Sequence, residues 1–238
     1  MKGVAIKKKN LMPIEKQYAK YFENRDAKGN EVLGSMATDR WRSDSKLLGV
    51  TLSRYKFVSK MFAGFESVLE IGAADGWYSR LVLNEVRTLT LSDFDQIWLD
   101  DFESQSVYVS SGTEYLIHDF VKSKLSRVFD GIFALDVLEH IQPKNQRQFL
   151  SNVCSSLLPH GVAIFGMPSA ESQVYASEGS KVGHVNCQSG NELKENLSEY
   201  FNNVFVFSMS DEVVHTGFMP MAHYLLALCV SPKDKTDS

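Results

Sequence analysis

The sequence predicts an α/β protein built on a doubly wound sheet of seven strands, mostly parallel, with an antiparallel last strand. Three observations lead there. Val68 to Gly76 (VLEIGAADG) is a short apolar run that meets an acidic residue, then turns through small residues into the amphipathic stretch Trp77–Glu85. That is the pattern of a strand, a tight turn and a helix. From residue 67 onward, apolar runs alternate with amphipathic stretches, as they do when parallel strands are buried on both faces. The last two apolar runs have no helix between them, so they are expected to pair as an antiparallel hairpin.

Taken in order, Pro13–Arg25 reads as a short helix, residues 29–34 as a glycine-containing loop, and Leu47–Met61 as a helix leading into the first strand. Strands are expected at Ser67–Ile71, Thr88–Ser92, Glu114–His118, Gly131–Leu135, Gly161–Gly166, Val204–Ser208 and Tyr224–Val230. Helices are expected at Trp77–Glu85, Gln96–Phe102, Lys144–Leu158 and Asn191–Tyr200. The organisation is a helical lid segment over residues 1–45, a main domain over 46–232 and a disordered tail over 233–238. The polar ends, 1–10 and 232–238, are expected to fray. Ligands of such sheets bind beyond the carboxyl ends of the strands, so the loops there are where chemistry is sought.

The chain's 238 residues suffice for one α/β domain with an N-terminal addition. A net charge of −4 argues against a nucleic-acid binder, which would carry a basic stripe. No apolar run reaches the roughly 18 residues of a membrane span. Met1–Asn10 is basic but lacks the apolar core of a signal peptide. Cys154, Cys187 and Cys229 show no CxxC spacing and read as free thiols of a reduced, cytoplasmic protein.

The spacing Glu70-x-Gly72-x-Ala74-x-Gly76 resembles motif I of the class I S-adenosylmethionine (SAM) dependent methyltransferases, a Rossmann-like fold. Small residues at this turn let a ligand approach backbone N–H groups beside a helix N-terminus. Ala74 stands where the family often has glycine, and alanine is tolerated if its φ is negative. A second match is Phe129-Asp130-Gly131-Ile132-Phe133-Ala134-Leu135-Asp136-Val137-Leu138-Glu139-His140-Ile141, similar to the element ending L-E-H in family members acting on small molecules. The resemblance covers about residues 45–230. A GxGxxG dehydrogenase fits less well, because residues 72–76 have the wrong spacing and the terminal strand pair replaces a crossover helix.

The resemblance implies SAM as cofactor, bound by Glu70, Gly72, Ala73, Ala74, Gly76, Asp93, Phe94, Asp119, Phe120 and Asp136. Asp93 follows its strand directly and would accept the ribose hydroxyls, with Asp95 its nearest competitor; either can instead cap a helix. Asp119 would accept the adenine amine, the amide of Phe120 would reach a ring nitrogen, and Phe94 and Phe120 would wall the ring. Phe120 reads equally well as core.

Methyl transfer needs alignment of nucleophile and methyl group, and a hydroxyl or amine nucleophile also benefits from a base. His140, His184 and His215 fall in three loops at the carboxyl edge. His140 or His184 is the candidate base, with Glu139 orienting it or contacting the SAM amino group; each also has a structural reading as a cap or loop hydrogen bond. No metal is assigned, although Glu139, His140 and His184, with His215 or Asp211, form a second possibility. Asp39-Arg40-Trp41-Arg42 and Arg54-Tyr55-Lys56 would cover the methionine end of SAM or bind an anionic substrate; a solvated helix face is the alternative. Ser53–Val58 looks like methyltransferases of bacterial carbohydrate and secondary-metabolite loci. The expected function is O-methylation of a small polar metabolite, a sugar or nucleotide-linked sugar, with no membrane or nucleic-acid partner and a homodimer left open. The alternatives are a non-catalytic SAM-binding protein and an NAD-dependent oxidoreductase.

Overall fold

The computed structural model describes residues 13–233, in two units that divide between Val32 and Leu33. Of the ends expected to fray, 1–10 and 234–238 lie outside the described residues, whereas Pro232 ends a strand and Lys233 Nζ donates to the Ser198 carbonyl at 2.7 Å, so fraying does not begin at 232. The first unit holds a 3-10 turn, Lys16–Tyr18, and the helix α1 (Ala19–Lys28). It ends at Gly29, whose φ of +78° suits the residue without a Cβ.

The second unit is a mixed sheet in the order β3-β2-β1-β4-β5-β8-β6-β7. Its strands are β1 (Ser67–Ile71), β2 (Thr88–Asp93), β3 (Glu114–Ile117), β4 (Phe129–Leu135), β5 (Leu157–Pro168), β6 (Phe201–Met209), β7 (Val214–His215) and β8 (Tyr224–Pro232). The first five run parallel, β8 lies antiparallel between β5 and β6, and β7 pairs antiparallel with β6. The strand count is therefore eight, not seven. The additional strand is two residues long, too short to leave an alternating pattern in the sequence.

Helices α2 (Ser35–Ser43), α3 (Ser45–Met61), α4 (Arg80–Leu83), α5 (Leu99–Glu103), α6 (Ser106–Ser111), α7 (Pro143–Ser155), α8 (Glu178–Gly183) and α9 (Gly190–Ser198) flank the sheet and its loops. Asp44 starts α3 by accepting from the Lys46 amide, and Ser189 and Glu192 close a reciprocal cap on α9. The stretch expected as one helix over Trp77–Glu85 is a 3-10 turn, Trp77–Ser79, followed by the single-turn α4.

Alternation along each strand divides the core in two. Leu69, Ile132, Ala134, Phe165 and Ala227 face the layer of α7 and α9, with Phe149, Leu150 and Leu193. Val68, Phe133, Leu135, Ile164 and Leu226 face the layer of α3, with Tyr55, Val58 and Phe62. Each fully buried Phe or Leu contributes about 1.5–3 kcal/mol. Sequential strands build outward from β1 to β3, then the chain crosses to β4 on the other side of β1. The crevice beyond the carboxyl ends of β1 and β4 is thus the topological switch point where such sheets bind ligands.

Candidate active site

The chain leaves β1 through a turn with three left-handed residues, Gly72 (φ +76°), Ala74 (+47°) and Gly76 (+72°). A Cβ on Gly72 would lie 2.4 Å from Val137 Cγ2, so no side chain fits there. Ala74 corrects the expectation of a negative φ. An L-residue in this region costs about 1–2 kcal/mol. Two hydrogen bonds hold it: its amide donates to Asp93 Oδ2 at 3.1 Å, and its carbonyl accepts from the Tyr115 hydroxyl at 2.7 Å.

Asp75 in the same turn was not a candidate, yet it ties the turn to α2. Its Oδ2 accepts from the amides of Met36 (2.8 Å) and Ala37 (3.1 Å), and its Oδ1 from Trp77 (3.2 Å). The carboxylate thus sits at the N-terminus of α2, where the helix dipole favours negative charge.

Beyond β1, β2 and β4 opens a cavity of about 510 Å³, walled by Gly72, Ala74, Asp93, Phe94, Asp95, Trp98, Asp119, Phe120, Asp136 and His140 among others. Asp93 is buried, which pushes its pKa up against the hydrogen bonds it accepts from Asp95 and Ala74. With the Phe94 amide also bonded to it, the carboxylate keeps capacity for a further hydrogen bond. Asp95 caps the following 3-10 turn, Gln96–Trp98, by accepting from the Ile97 amide. Asp119 accepts from the Val121 amide, and Lys122 stands 3.1 Å away. Desolvation, the largest single influence, works against it, but the Lys122 contact and the backbone bonds together hold Asp119 below its ordinary value. Phe94 is 73% exposed at the rim, whereas Phe120 is 2% exposed and packs edge-on to Phe149 in the core, touching the cavity with what remains.

A second cavity, about 470 Å³, shares Met36, Gly72, Ala74, Asp136 and His140 with the first. Its other walls include Ala73, Arg40, Thr51, Arg54, Glu139, Ser180 and His184. Arg54 Nη1 pairs with Asp136, itself at φ +56°, while its guanidinium lies 3.6 Å from the centre of the Tyr224 ring. Glu139 is wholly buried in the 3-10 turn Leu138–His140, and desolvation, then Asp136, push its pKa well up. The His140 and His184 rings are 5.3 Å apart. His140 Nδ1 meets the Gly183 carbonyl at 2.9 Å, and His184 Nδ1 meets Gln173 Oε1 at 2.8 Å. Burial, then His140, lower the His184 pKa.

The family model described as "Methyltransferase domain" matches residues 39–203. The chain belongs to this methyltransferase family. No curated protein matches the sequence significantly. Among solved structures, the fold is similar to the N-methyltransferase NodS from Bradyrhizobium japonicum WM9 in complex with S-adenosyl-L-homocysteine. That match is 19% identical, has a TM-score of 0.56, and covers 81% of this chain and 92% of that one. The DhpI-SAM-HEP complex is 17% identical with a TM-score of 0.59, covering 88% and 94%. The Burkholderia thailandensis 1,6-didemethyltoxoflavin-N1-methyltransferase, with 1,6-didemethyltoxoflavin and S-adenosylhomocysteine bound, is 14% identical with a TM-score of 0.59, covering 91% and 88%. The class I resemblance carried by motif I and the L-E-H element therefore stands, in fold and in family.

Of the residues assigned to the cofactor or to catalysis in this methyltransferase, all but Glu70 and Gly76 reach one cavity or both, and of the segments 39–42 and 54–56 only Arg40, Arg54 and Tyr55 do. Glu70 lies beneath the turn, accepting from the Tyr55 hydroxyl at 2.7 Å, and burial raises it to about 7. Gly76 packs against Leu91 and accepts from the Tyr108 hydroxyl. Neither His215, which accepts from the Gly217 amide, nor Asp211, which accepts from the Val213 amide, joins the Glu139–His140–His184 group. Met36, Trp98, Gln173 and Tyr224 were missed: Met36 and Tyr224 arrive from elements far away in the sequence, and Trp98, just after Asp95, and Gln173, eleven residues before His184, belong to no local pattern. No helix among the described residues is long and apolar enough to cross a membrane.

Proposed function

We propose that this methyltransferase uses SAM to methylate a hydroxyl of a small polar metabolite, a sugar or nucleotide-linked sugar. The observation that carries the reading is the meeting of two cavities at Gly72, Ala74, Asp136 and His140, one over the motif I turn and one lined by polar side chains. The first has the volume and polar groups for SAM: a backbone surface kept bare by Gly72, and acceptor carboxylates at Asp93 and Asp119. SAM supplies an electrophilic methyl group. Asp93 holds the ribose hydroxyls, Asp119 the adenine amine, and Phe94 covers the ring. The second cavity holds the acceptor beside Arg40, Thr51, Arg54 and Ser180, a lining suited to hydroxyls and to negative charge. His184, kept neutral by its surroundings, takes the acceptor proton in the cation-free protein, with His140 beside it and Glu139 beneath. Helix α2, whose Met36 lines both cavities, serves as a lid. Cys154, Cys187 and Cys229 form no disulfide, which accords with a reducing cytoplasm.

Calorimetric titration with SAM and S-adenosylhomocysteine, with NAD as control, tests the cofactor. The SAM pair is expected to bind and NAD not to. Asp93→Ala is expected to weaken the pair roughly tenfold to hundredfold, the loss of one or two charge-assisted hydrogen bonds. NAD binding, or equal affinity in the variant, would overturn the assignment. Incubation with sugars and nucleotide sugars, read as S-adenosylhomocysteine release, then tests the acceptor.

A further inference from the structure

Glu139 is a carboxylate that the fold has sealed away without company. It is 0% exposed, and neither oxygen has a hydrogen-bond partner among the described residues. A buried polar group left in that state costs several kcal/mol, and more when charged. Two imidazoles stand against it: one ligand atom each from Glu139, His140 and His184 lie within 4.8 Å of one another.

The hydrogen bonds fix the tautomers of both rings. The Gly183 carbonyl and Gln173 Oε1 can only accept, so His140 Nδ1 and His184 Nδ1 both donate. Each ring is left with its lone pair on Nε2. A histidine whose second ring nitrogen is pinned by an oxygen is the arrangement that prepares imidazole for a metal. Gly183 also eases the approach, since a Cβ there would stand 3.2 Å from the His140 ring, close enough to push it by a few tenths of an ångström.

We propose that Glu139, His140 and His184 form a binding site for one divalent transition cation. The proposal rests on the reading of the neighbouring cavities as a methyl-transfer centre only for what the cation does there. Two imidazoles and one carboxylate suit Zn²⁺, Mn²⁺, Fe²⁺ or Co²⁺ better than Mg²⁺ or Ca²⁺, which prefer oxygen alone. Ligands of a tetrahedral cation at about 2.0–2.1 Å stand roughly 3.3 Å apart, so modest side-chain rotation closes the set. All three residues line the acceptor cavity, which leaves coordination positions open towards it. An open three-ligand site is the form that binds a substrate oxygen rather than a structural cation. The ligand class follows: an acceptor hydroxyl, or a pair of vicinal hydroxyls, completing the shell. A coordinated hydroxyl gives up its proton to solvent more readily than a free one. In the loaded protein the histidines are therefore ligands, and the proton leaves without an imidazole base.

The test is calorimetric titration of tag-free, EDTA-treated and dialysed protein with Zn²⁺, and the Mn²⁺ electron paramagnetic resonance signal of the same sample. S-adenosylhomocysteine affinity is measured in parallel. One equivalent of cation is expected to bind the wild-type chain. His184→Ala and Glu139→Gln are expected to weaken it by about a hundredfold or more, and Gln173→Ala by about tenfold through loss of ring positioning. S-adenosylhomocysteine affinity should stay within a few-fold in His184→Ala and Gln173→Ala. Should Glu139→Gln fail to fold, the two surface-accessible variants carry the test alone. A chain that binds S-adenosylhomocysteine but no cation, or binds cation equally in wild type and His184→Ala, overturns the metal site and leaves the methyl-transfer reading. A chain that binds cation at these residues but no S-adenosylhomocysteine supports the metal site and overturns the methyl-transfer reading.

Discussion

Nη1 of Arg54 stands 3.0 and 2.8 Å from the two carboxylate oxygens of Asp136, across 82 residues of sequence. The pair ties α3 to the end of β4 where the two cavities join, and it holds Asp136 in a left-handed conformation that a non-glycine residue seldom adopts. The side chains are 17% and 38% exposed, between a buried ion pair and a surface one. Removing one partner of a buried pair costs about 3–5 kcal/mol and of an exposed pair under about 1 kcal/mol. Arg54→Met is therefore expected to lose about 2 kcal/mol in urea unfolding. Arg54→Lys should lose less, keeping the charge but not the planar stacking on Tyr224. Wild-type midpoints in both variants would show that the pair holds nothing.

Asp75 predicts how the lid helix is fastened. Asp75→Ala leaves three backbone amides without their acceptor, at Met36, Ala37 and Trp77. Bonds to a charged acceptor contribute about 1.5–3 kcal/mol each at most, and water replaces part of them once α2 loosens. The expected result is a loss of about 2–4 kcal/mol, with faster hydrogen exchange in residues 35–43 than in β1 or β4. Unchanged protection of α2 in this variant rules the anchor out.

These two contacts also mark where sequence reading ends. The strands around the switch point were legible because alternation leaves a pattern: Ser67–Ile71 is placed as expected, and β2 and β4 differ by one or two residues. Asp93, Asp136, Glu139 and His140 were legible because a residue at a strand's carboxyl end is placed by topology alone. Helices α2, α6 and α8 were not found. They span nine residues or fewer, and α2 starts at an amide pair whose acceptor lies 38 or 39 residues away. Partners such as Gln173 for His184, or Tyr224 for Arg54, leave no mark in any local window. The φ of Ala74 was misjudged for the same reason: Asp93 and Tyr115 impose it from other strands.

Ala74→Gly measures that imposition. Glycine adopts a φ near +47° without the roughly 1–2 kcal/mol cost borne by alanine. It also gives the unfolded chain about 0.5–1 kcal/mol of added conformational freedom. The expected net effect is a small stabilisation, about 0.5 kcal/mol, read as a higher denaturation midpoint. A destabilisation of about 1 kcal/mol, the entropy loss alone, would mean that the turn carries no strain.

Glu70 predicts a decline in stability with rising pH. In the unfolded chain it ionises near its ordinary value of 4.5, whereas burial holds it to about 7 in the fold. Below 4.5 both states keep the proton, and the contribution of the protonated form is fully present. As pH rises to 7 the unfolded chain releases the proton first, so the native state loses ground, and above 7 the loss is complete. A gap of this size corresponds to at most about 3.5 kcal/mol. Glu70→Gln retains an oxygen for the Tyr55 hydroxyl but cannot ionise. Its melting temperature relative to wild type is expected to rise between pH 5 and 8. Parallel curves across that range would place Glu70 at an ordinary pKa.

His184 makes the complementary prediction on the acid side. Burial, and then the neighbouring His140, hold its pKa below the ordinary 6.5. The unfolded chain therefore takes up a proton at this residue before the native state does. Stability tied to the neutral ring is fully present above 6.5 and is lost as pH falls through the folded value. The same shift keeps the ring unprotonated at neutral pH, the form required of a base or a ligand. In cation-free protein, proton magnetic resonance titration of the His184 ring is expected to give a midpoint below 6.5. His140→Asn removes the smaller, electrostatic cause and leaves the larger one. The midpoint should move up in that variant without reaching 6.5. A midpoint at or above 6.5 in the wild-type chain would mean that the site is wet and open, and would remove His184 as the group poised to accept a proton at neutral pH.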